Sequence, residues 1–209
     1  LGIIGCGNIG AIVADRAQGL RMKVMGYDPF LTDDRAKKLG IEKVELDQLL
    51  EKSDFISLHT PLTDATRNII SADALNCTKK GVRIVNCARG GLVDENALLA
   101  ALLSGHVAGA ALDVFENEPA KDNPLFAAEN FIATPHLGAS TVEAQEKVAL
   151  QVAEQMVDYL ITGAITNAIN MASVTAEEAP LLKPYMTLGG LLGRFLGQLD
   201  TEGLTAVKL

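Results

Sequence analysis

The feature that most narrows the fold is Gly5-Cys6-Gly7-Asn8-Ile9-Gly10, set between an apolar run at Leu1–Ile4 and an apolar-periodic stretch at Ile9–Leu20. Glycines at that spacing turn a strand into a helix. Gly5 permits the tight turn, Gly7 leaves the backbone open to close approach, and Gly10 lets the helix lie against the strand. The same alternation continues downstream. Strand-like runs fall at Lys23–Tyr27, Phe55–Leu58, Val82–Asn86, Gly109–Val114 and Phe131–Thr134, with helical patterns at Thr32–Leu39, Leu46–Glu51, Ser71–Leu75 and Glu95–Leu103. Short runs with few polar interruptions are buried on both faces, as in a parallel sheet covered by helices. The expected architecture is α/β, a doubly wound parallel sheet of the Rossmann type.

A longer helix is expected over Thr141–Leu160. Ser140 and Glu143 fit a capping box, and Ala149, Val152, Ala153, Met156, Val157 and Leu160 form one apolar face that ends at Gly163. Residues 164–184 are small and polar, with Pro180 and Pro184, and read as a connection. Tyr185–Leu199 is again helix-like, and Leu204–Leu209 alternates like a strand. The expected organisation is a nucleotide-binding domain at 1–160, a linker at 161–184 and the start of a further domain at 185–209. Because the chain opens and closes inside strand-like runs, a portion of a longer polypeptide is expected.

Composition excludes several classes of function. With 48% apolar residues the chain has material for a packed core. A formal net charge of −8 argues against a nucleic-acid partner, which calls for a basic stripe. No run approaches the ~20 apolar residues of a membrane span. Cys6, Cys77 and Cys87 show no C-x-x-C spacing, so neither a disulfide framework nor a metal site is expected, and a reducing cytoplasm is the simplest setting.

The glycine turn opens a helix, whose free N–H groups and positive dipole end suit a pyrophosphate. Asp28 ends the second strand about 20 residues further on, where a carboxylate accepts hydrogen bonds from ribose hydroxyls. A 2′-phosphate there would meet like charge, and Tyr27-Asp28-Pro29-Phe30 offers no arginine to receive it. NAD is therefore the expected cofactor rather than NADP.

Three further residues follow strands, where open α/β sheets gather their ligands: Arg89, Glu118 and His136. By spacing alone, a histidine after a strand is more often a satisfied loop residue than a catalyst, and an arginine beside glycines is as readily a solvated turn. The wording around them is more specific. GCGNIG at 5–10, HTPLTDATRNII at 59–70, NCARGGLVDENAL at 86–98, GAALDVFENEP at 109–119 and TPHLGAST at 134–141 resemble the D-isomer-specific 2-hydroxyacid dehydrogenase family over about residues 1–160. SVTAEEAP at 173–180 and the YMTLGGLLGRFLGQL that follows are similar to its long-chain members.

The resemblance implies that Arg89 binds the substrate carboxylate and carbonyl oxygen, that His136 is the general acid and base, and that Glu118 hydrogen-bonds the other ring nitrogen and favours the protonated imidazole. For the cofactor it implies Asn8 and Ile9 at the pyrophosphate turn, and Thr60 with Cys87, Ala88 and Arg89 along the nucleotide. Asp113 falls near the nicotinamide end, which His136, Leu137, Gly138 and Ala139 line. His59 is expected to hold a backbone position near the nucleotide, and His106 to face solvent. Neither Cys6 nor Cys87 has an activating base in view.

Family members complete the cleft with a substrate lobe that precedes the first strand, and nothing in these 209 residues corresponds to it. The chain is therefore expected to bind NAD with negligible turnover by itself. An apolar face short of partners, together with dimerisation in the family, points to a homodimer or homotetramer. The small-molecule partner is a 2-hydroxy acid, phosphorylated or not. An NAD-sensing module of the corepressor type is the competing class.

Overall fold

A computed structural model describes residues 1–169 and 179–199. The strand-like run at 204–209 and most of the stretch 173–180 lie outside those residues. Contacts divide the chain into two units, Leu1–Ser140 and Thr141–Leu209.

The first unit is a sheet of seven strands: β1 (Gly2–Ile4), β2 (Met25–Tyr27), β3 (Glu42–Lys43), β4 (Phe55–Leu58), β5 (Val82–Asn86), β6 (Val107–Leu112) and β7 (Phe131–Ala133). They lie in the order β3-β2-β1-β4-β5-β6-β7, and every pairing is parallel. The helices are α1 (Asn8–Gly19), α2 (Asp33–Leu39), α3 (Leu46–Lys52), α4 (Ala72–Asn76) and α5 (Glu95–Leu103). The order reverses between β1 and β4. That is the topological switch point at which such sheets open a crevice beyond their carboxyl ends.

Adjacent residues of β1 show why the strands are apolar throughout. Ile3 packs with Cys6, Ala14, Ala17 and Ile41 on one side, while Ile4 packs with Leu49, Ile56, Leu58 and Ile84 on the other. Successive side chains of a strand point to opposite faces, so two covered faces demand an unbroken apolar run. β3 escapes that rule. Its Glu42 and Lys43 are both exposed at the sheet edge, and no apolar pattern marks them.

The second unit contains α6 (Val142–Thr162) and α7 (Ala179–Leu199). The N-cap of α6 is Thr141, whose hydroxyl accepts from the Ala144 N–H at 3.1 Å, rather than Ser140. Ser140 is instead held in the preceding turn, its N–H donating to the Leu137 carbonyl at 3.0 Å. Glu143 pairs with Lys147 one turn on and does not reach back. Gly163 closes α6 in the left-handed conformation, as its position suggested. No residue of α6 is buried; Val148, Val152 and Met156 are about half exposed or more. α7 begins at Ala179, earlier than the sequence pattern indicated. Pro180 sits in its first turn, where a missing N–H costs nothing, and Pro184 is accommodated inside the helix.

Candidate active site

The glycine turn joins β1 to α1 and rests on β2. The Gly5 N–H donates to the Tyr27 carbonyl at 2.8 Å, and Gly5 takes φ +92°. The Asp28 carboxylate accepts from the Cys6 N–H at 2.9 Å and the Phe30 N–H at 2.8 Å. It thus fixes the turn while remaining half-buried at the end of β2.

The first turn of α1 fits an anion. Its N-cap, Gly7, supplies no side-chain cap, no acidic residue lies in the turn, and the space above Gly7 is open. By contrast α2, α4 and α5 are capped by the side chains of Thr32, Ser71 and Asp94. A helix start with unspent N–H groups and a glycine facing open space suits a dinucleotide pyrophosphate. Asn8 and Ile9 form that turn, and both are exposed.

Beside it lies a cleft of about 220 Å³ lined by Ile9, His59, Thr60, Pro61, Cys87, Ala88 and Arg89. His59 continues β4 by one residue toward the turn, with its N–H bonded to the Ile4 carbonyl at 2.7 Å and its Nε2 2.8 Å from the Ser57 hydroxyl. Burial lowers its pKa and so favours the neutral ring. Burial, and then the neighbouring Asp28 carboxylate, push the Cys6 thiol up to about 11, which removes it as a nucleophile at neutral pH. Partial burial and the Asp113 carboxylate likewise raise Cys87. His106 does not simply face solvent. Its Nε2 lies 3.0 Å from the Thr78 hydroxyl and 2.9 Å from the Leu75 carbonyl, tying the approach to β6 onto the end of α4.

A second cleft of about 500 Å³ is lined by Asp113, Phe115, Glu118, Phe126, Thr134 and His136, among others. His136 Nδ1 stands 2.7 Å from Glu118 Oε2, and the other Glu118 oxygen accepts from the Phe115 N–H at 2.9 Å. The hydrogen bond to His136, then that from Phe115, holds the Glu118 carboxyl below its ordinary value. The pair is 46% and 34% exposed, so it adds little to stability. Its value lies in geometry.

His136 has φ +55°, a left-handed conformation that a non-glycine residue adopts at a cost of about 1–3 kcal/mol. Asp113 offsets that cost. Its backbone carbonyl accepts from the His136 N–H at 2.9 Å, and its carboxylate accepts from the Thr134 hydroxyl, the Leu137 N–H at 2.8 Å and the Gly138 N–H at 3.3 Å. Burial works to raise the Asp113 carboxyl, but these donors outweigh it and hold it low. Asp113 is thus spent on the His136 loop, a task its position in the sequence did not reveal. Leu137, Gly138 and Ala139 continue the loop and are exposed.

Arg89 and His136 line different clefts. The Arg89 side chain is exposed, with its Nη1 donating to the Ala88 carbonyl at 2.6 Å, which leaves the remaining N–H groups of the guanidinium for an external carboxylate. The loops themselves are joined, because the Asp113 N–H donates to the Asn86 carbonyl at 2.9 Å. Two supporting residues escaped sequence reasoning. Glu95 accepts from the Glu116 N–H at 2.8 Å and from the Asn123 amide at 2.6 Å, gripping both ends of the strap that carries Glu118. Asn86 closes the loop that carries Arg89. An asparagine ending a strand two residues before a bend is a signal for such a turn; Glu95 carried none.

Residues 1–138 match the family profile "D-isomer specific 2-hydroxyacid dehydrogenase, NAD binding domain". D-3-phosphoglycerate dehydrogenase of Bacillus subtilis (strain 168) is 47% identical over the full 209 residues, which span 40% of that relative's length. Among solved structures, a glyoxylate reductase from Paecilomyes thermophila is 38% identical with a TM-score of 0.72, over 81% of this chain and 51% of the other. A D-lactate dehydrogenase from Aquifex aeolicus, complexed with NAD and lactic acid, is 34% identical with a TM-score of 0.67, over 78% and 53% respectively. The sequence motifs, the parallel seven-stranded sheet and the profile match agree, and the chain belongs to the D-isomer specific 2-hydroxyacid dehydrogenase family as its NAD-binding domain.

Proposed function

We propose that this chain is the NAD-binding half of an enzyme that oxidises D-3-phosphoglycerate to 3-phosphohydroxypyruvate, a reaction that feeds serine synthesis. The observation that carries the reading is the 2.7 Å pair between His136 Nδ1 and Glu118 Oε2, held on loops beyond the carboxyl ends of β6 and β7. NAD, when bound, supplies the hydride acceptor for oxidation and, as NADH, the hydride donor for reduction. With Nδ1 engaged, His136 presents Nε2 to the substrate 2-hydroxyl, takes its proton during oxidation and returns it during reduction. Glu118 fixes the ring and its tautomer. Arg89 grips the substrate carboxylate, for which a planar, two-pronged cation is suited and a lysine is not. The α1 turn at Asn8 and Ile9 takes the pyrophosphate and Asp28 the ribose. Thr60 and the Cys87–Arg89 loop follow the nucleotide, and Asp113 with His136–Ala139 borders the nicotinamide.

Identity to phosphoglycerate dehydrogenases favours the phosphorylated substrate over lactate or glycerate. The Glu118–His136 pair favours catalysis over an NAD-sensing role. The same reading takes residues 1–160 as the nucleotide domain, 161–184 as a link and 185–209 as the start of a further domain. It also takes the assembly as a cytoplasmic homodimer or homotetramer, in keeping with the exposed apolar side chains of α6 and with free cysteines at 6, 77 and 87.

The test compares two preparations. The 209-residue chain is expected to bind NADH in a fluorescence titration and to show negligible turnover. With the substrate lobe present, 3-phosphohydroxypyruvate should be reduced with a kcat/KM at least about tenfold above those of pyruvate and hydroxypyruvate, and NADH should be preferred to NADPH. Equal use of the unphosphorylated acids would reject the substrate, and binding of NADH without any turnover would reject the enzyme.

A further inference from the structure

We infer that Asn86 is the positioning residue of Arg89, acting on the substrate-binding guanidinium through the loop that carries it. The inference rests on the reading of Arg89 given above. Asn86 is the last residue of β5 and is 1% exposed. Val82 and Ile84, on the same strand, are wholly buried and apolar. A primary amide is a costly occupant of such a place unless its donors and acceptor are used. At Asn86 both ends of the amide are used within one short loop. Its Oδ1 accepts from the Ala88 N–H at 3.0 Å, and its Nδ2 donates to the Arg89 carbonyl at 2.9 Å. The opposite orientation of the amide would set oxygen against carbonyl and N–H₂ against N–H, so the network admits one assignment.

The loop is also clamped from beyond. A Cβ placed on Gly90 would collide with the Phe115 carbonyl oxygen, so backbone meets backbone there. The chain it meets is the one whose Phe115 N–H holds Glu118, and the Asn86 carbonyl itself receives the Asp113 N–H. Arg89 is therefore set between a buried amide on one side and the mount of Glu118 on the other. Loosening the amide moves the guanidinium relative to the acid–base pair. An error of about 1 Å at such a site is worth about a hundredfold in rate.

Kinetics of the enzyme with both lobes present provide the test, using Asn86→Ala, Arg89→Ala and the double variant. Asn86→Ala should raise KM for the 2-oxo acid and cut kcat/KM by about 10- to 100-fold, a larger loss than any change in the NADH dissociation constant that movement of the same loop brings. In the Arg89→Ala background the Asn86 substitution should add less than about a twofold loss, because its effect passes through the guanidinium. Asn86→Asp keeps the acceptor for Ala88 but turns an oxygen on the Arg89 carbonyl at a buried position, and should lose at least as much kcat/KM as Asn86→Ala. If Asn86→Ala does not fold, Asn86→Asp, close to it in shape, carries the same double-variant comparison. Losses that multiply in the double variant, or a parallel loss of NADH affinity, would overturn the inference and mark Asn86 as a general structural residue. An Arg89→Ala enzyme as active as its parent would overturn the reading of Arg89 itself, an outcome distinct from the first.

Discussion

Replacing His136 with asparagine should lower turnover of the two-lobed enzyme by about 10²- to 10⁴-fold, the usual worth of a placed acid–base group, while NADH binding stays close to that of the parent. Asparagine is the informative substitute for two reasons. It tolerates the left-handed backbone that His136 adopts, so the Thr134–Gly138 loop keeps its shape. It also retains a polar side chain near Glu118 without an ionisable nitrogen. The three donors to the Asp113 carboxylate come from Thr134, Leu137 and Gly138, and none is altered by the change. Steady-state rates and an NADH titration on the same preparation separate the two effects. Equal loss of both would mean a collapsed loop rather than a missing proton carrier.

The second large effect concerns the nucleotide turn. A methyl group at Gly10 would collide with the Gly5 carbonyl oxygen, and since both groups belong to the backbone, the turn or α1 has to move. Gly10→Ala should therefore cost about 1–3 kcal/mol of stability, as overpacking does, and weaken NAD binding by at least about tenfold. Gly7→Ala makes the contrast, because its Cβ would meet nothing within 4 Å. That variant should melt with the parent yet bind NAD poorly, since the methyl fills the space left for the pyrophosphate. Thermal melts and calorimetric titrations of the 209-residue variants check both statements. A Gly10→Ala chain that binds NAD normally would show that the turn does not hold the cofactor.

Much of this architecture is written locally. β4, β5 and α5 fall where apolar periodicity puts them, because their side chains are buried on schedules set by strand and helix geometry. β3 was invisible because Glu42 and Lys43 form an exposed edge with nothing to bury. The cap of α6 went to Thr141 because the turn ending at Ser140 claims that residue first, a competition between neighbours that a capping motif does not express. The sequence around His106 reads as solvent-facing because its partners, Thr78 and the Leu75 carbonyl, lie far back in the chain.

The site divides in the same way. The glycine turn and Asp28 could be read from residue types and spacing. The pairing of Glu118 with His136 could not, since it depends on two loops meeting beyond adjacent strands, and only the family resemblance pointed to it. The supports beneath the site, Asn86, Glu95 and the carboxylate of Asp113, are legible only once the loops are in place. Their bonds run to backbone N–H and carbonyl groups that have no residue-specific signature.

Glu118 is expected to hold the His136 ring in register for proton transfer through the 2.7 Å contact at Nδ1. The rate of NADH-driven 2-oxo acid reduction, measured on the parent two-lobed enzyme and on Glu118→Gln beside an NADH titration of each, tests it most directly. Without the carboxylate, kcat should fall by at least about tenfold while the NADH dissociation constant stays close to that of the parent. Equal rates in the two enzymes would contradict it.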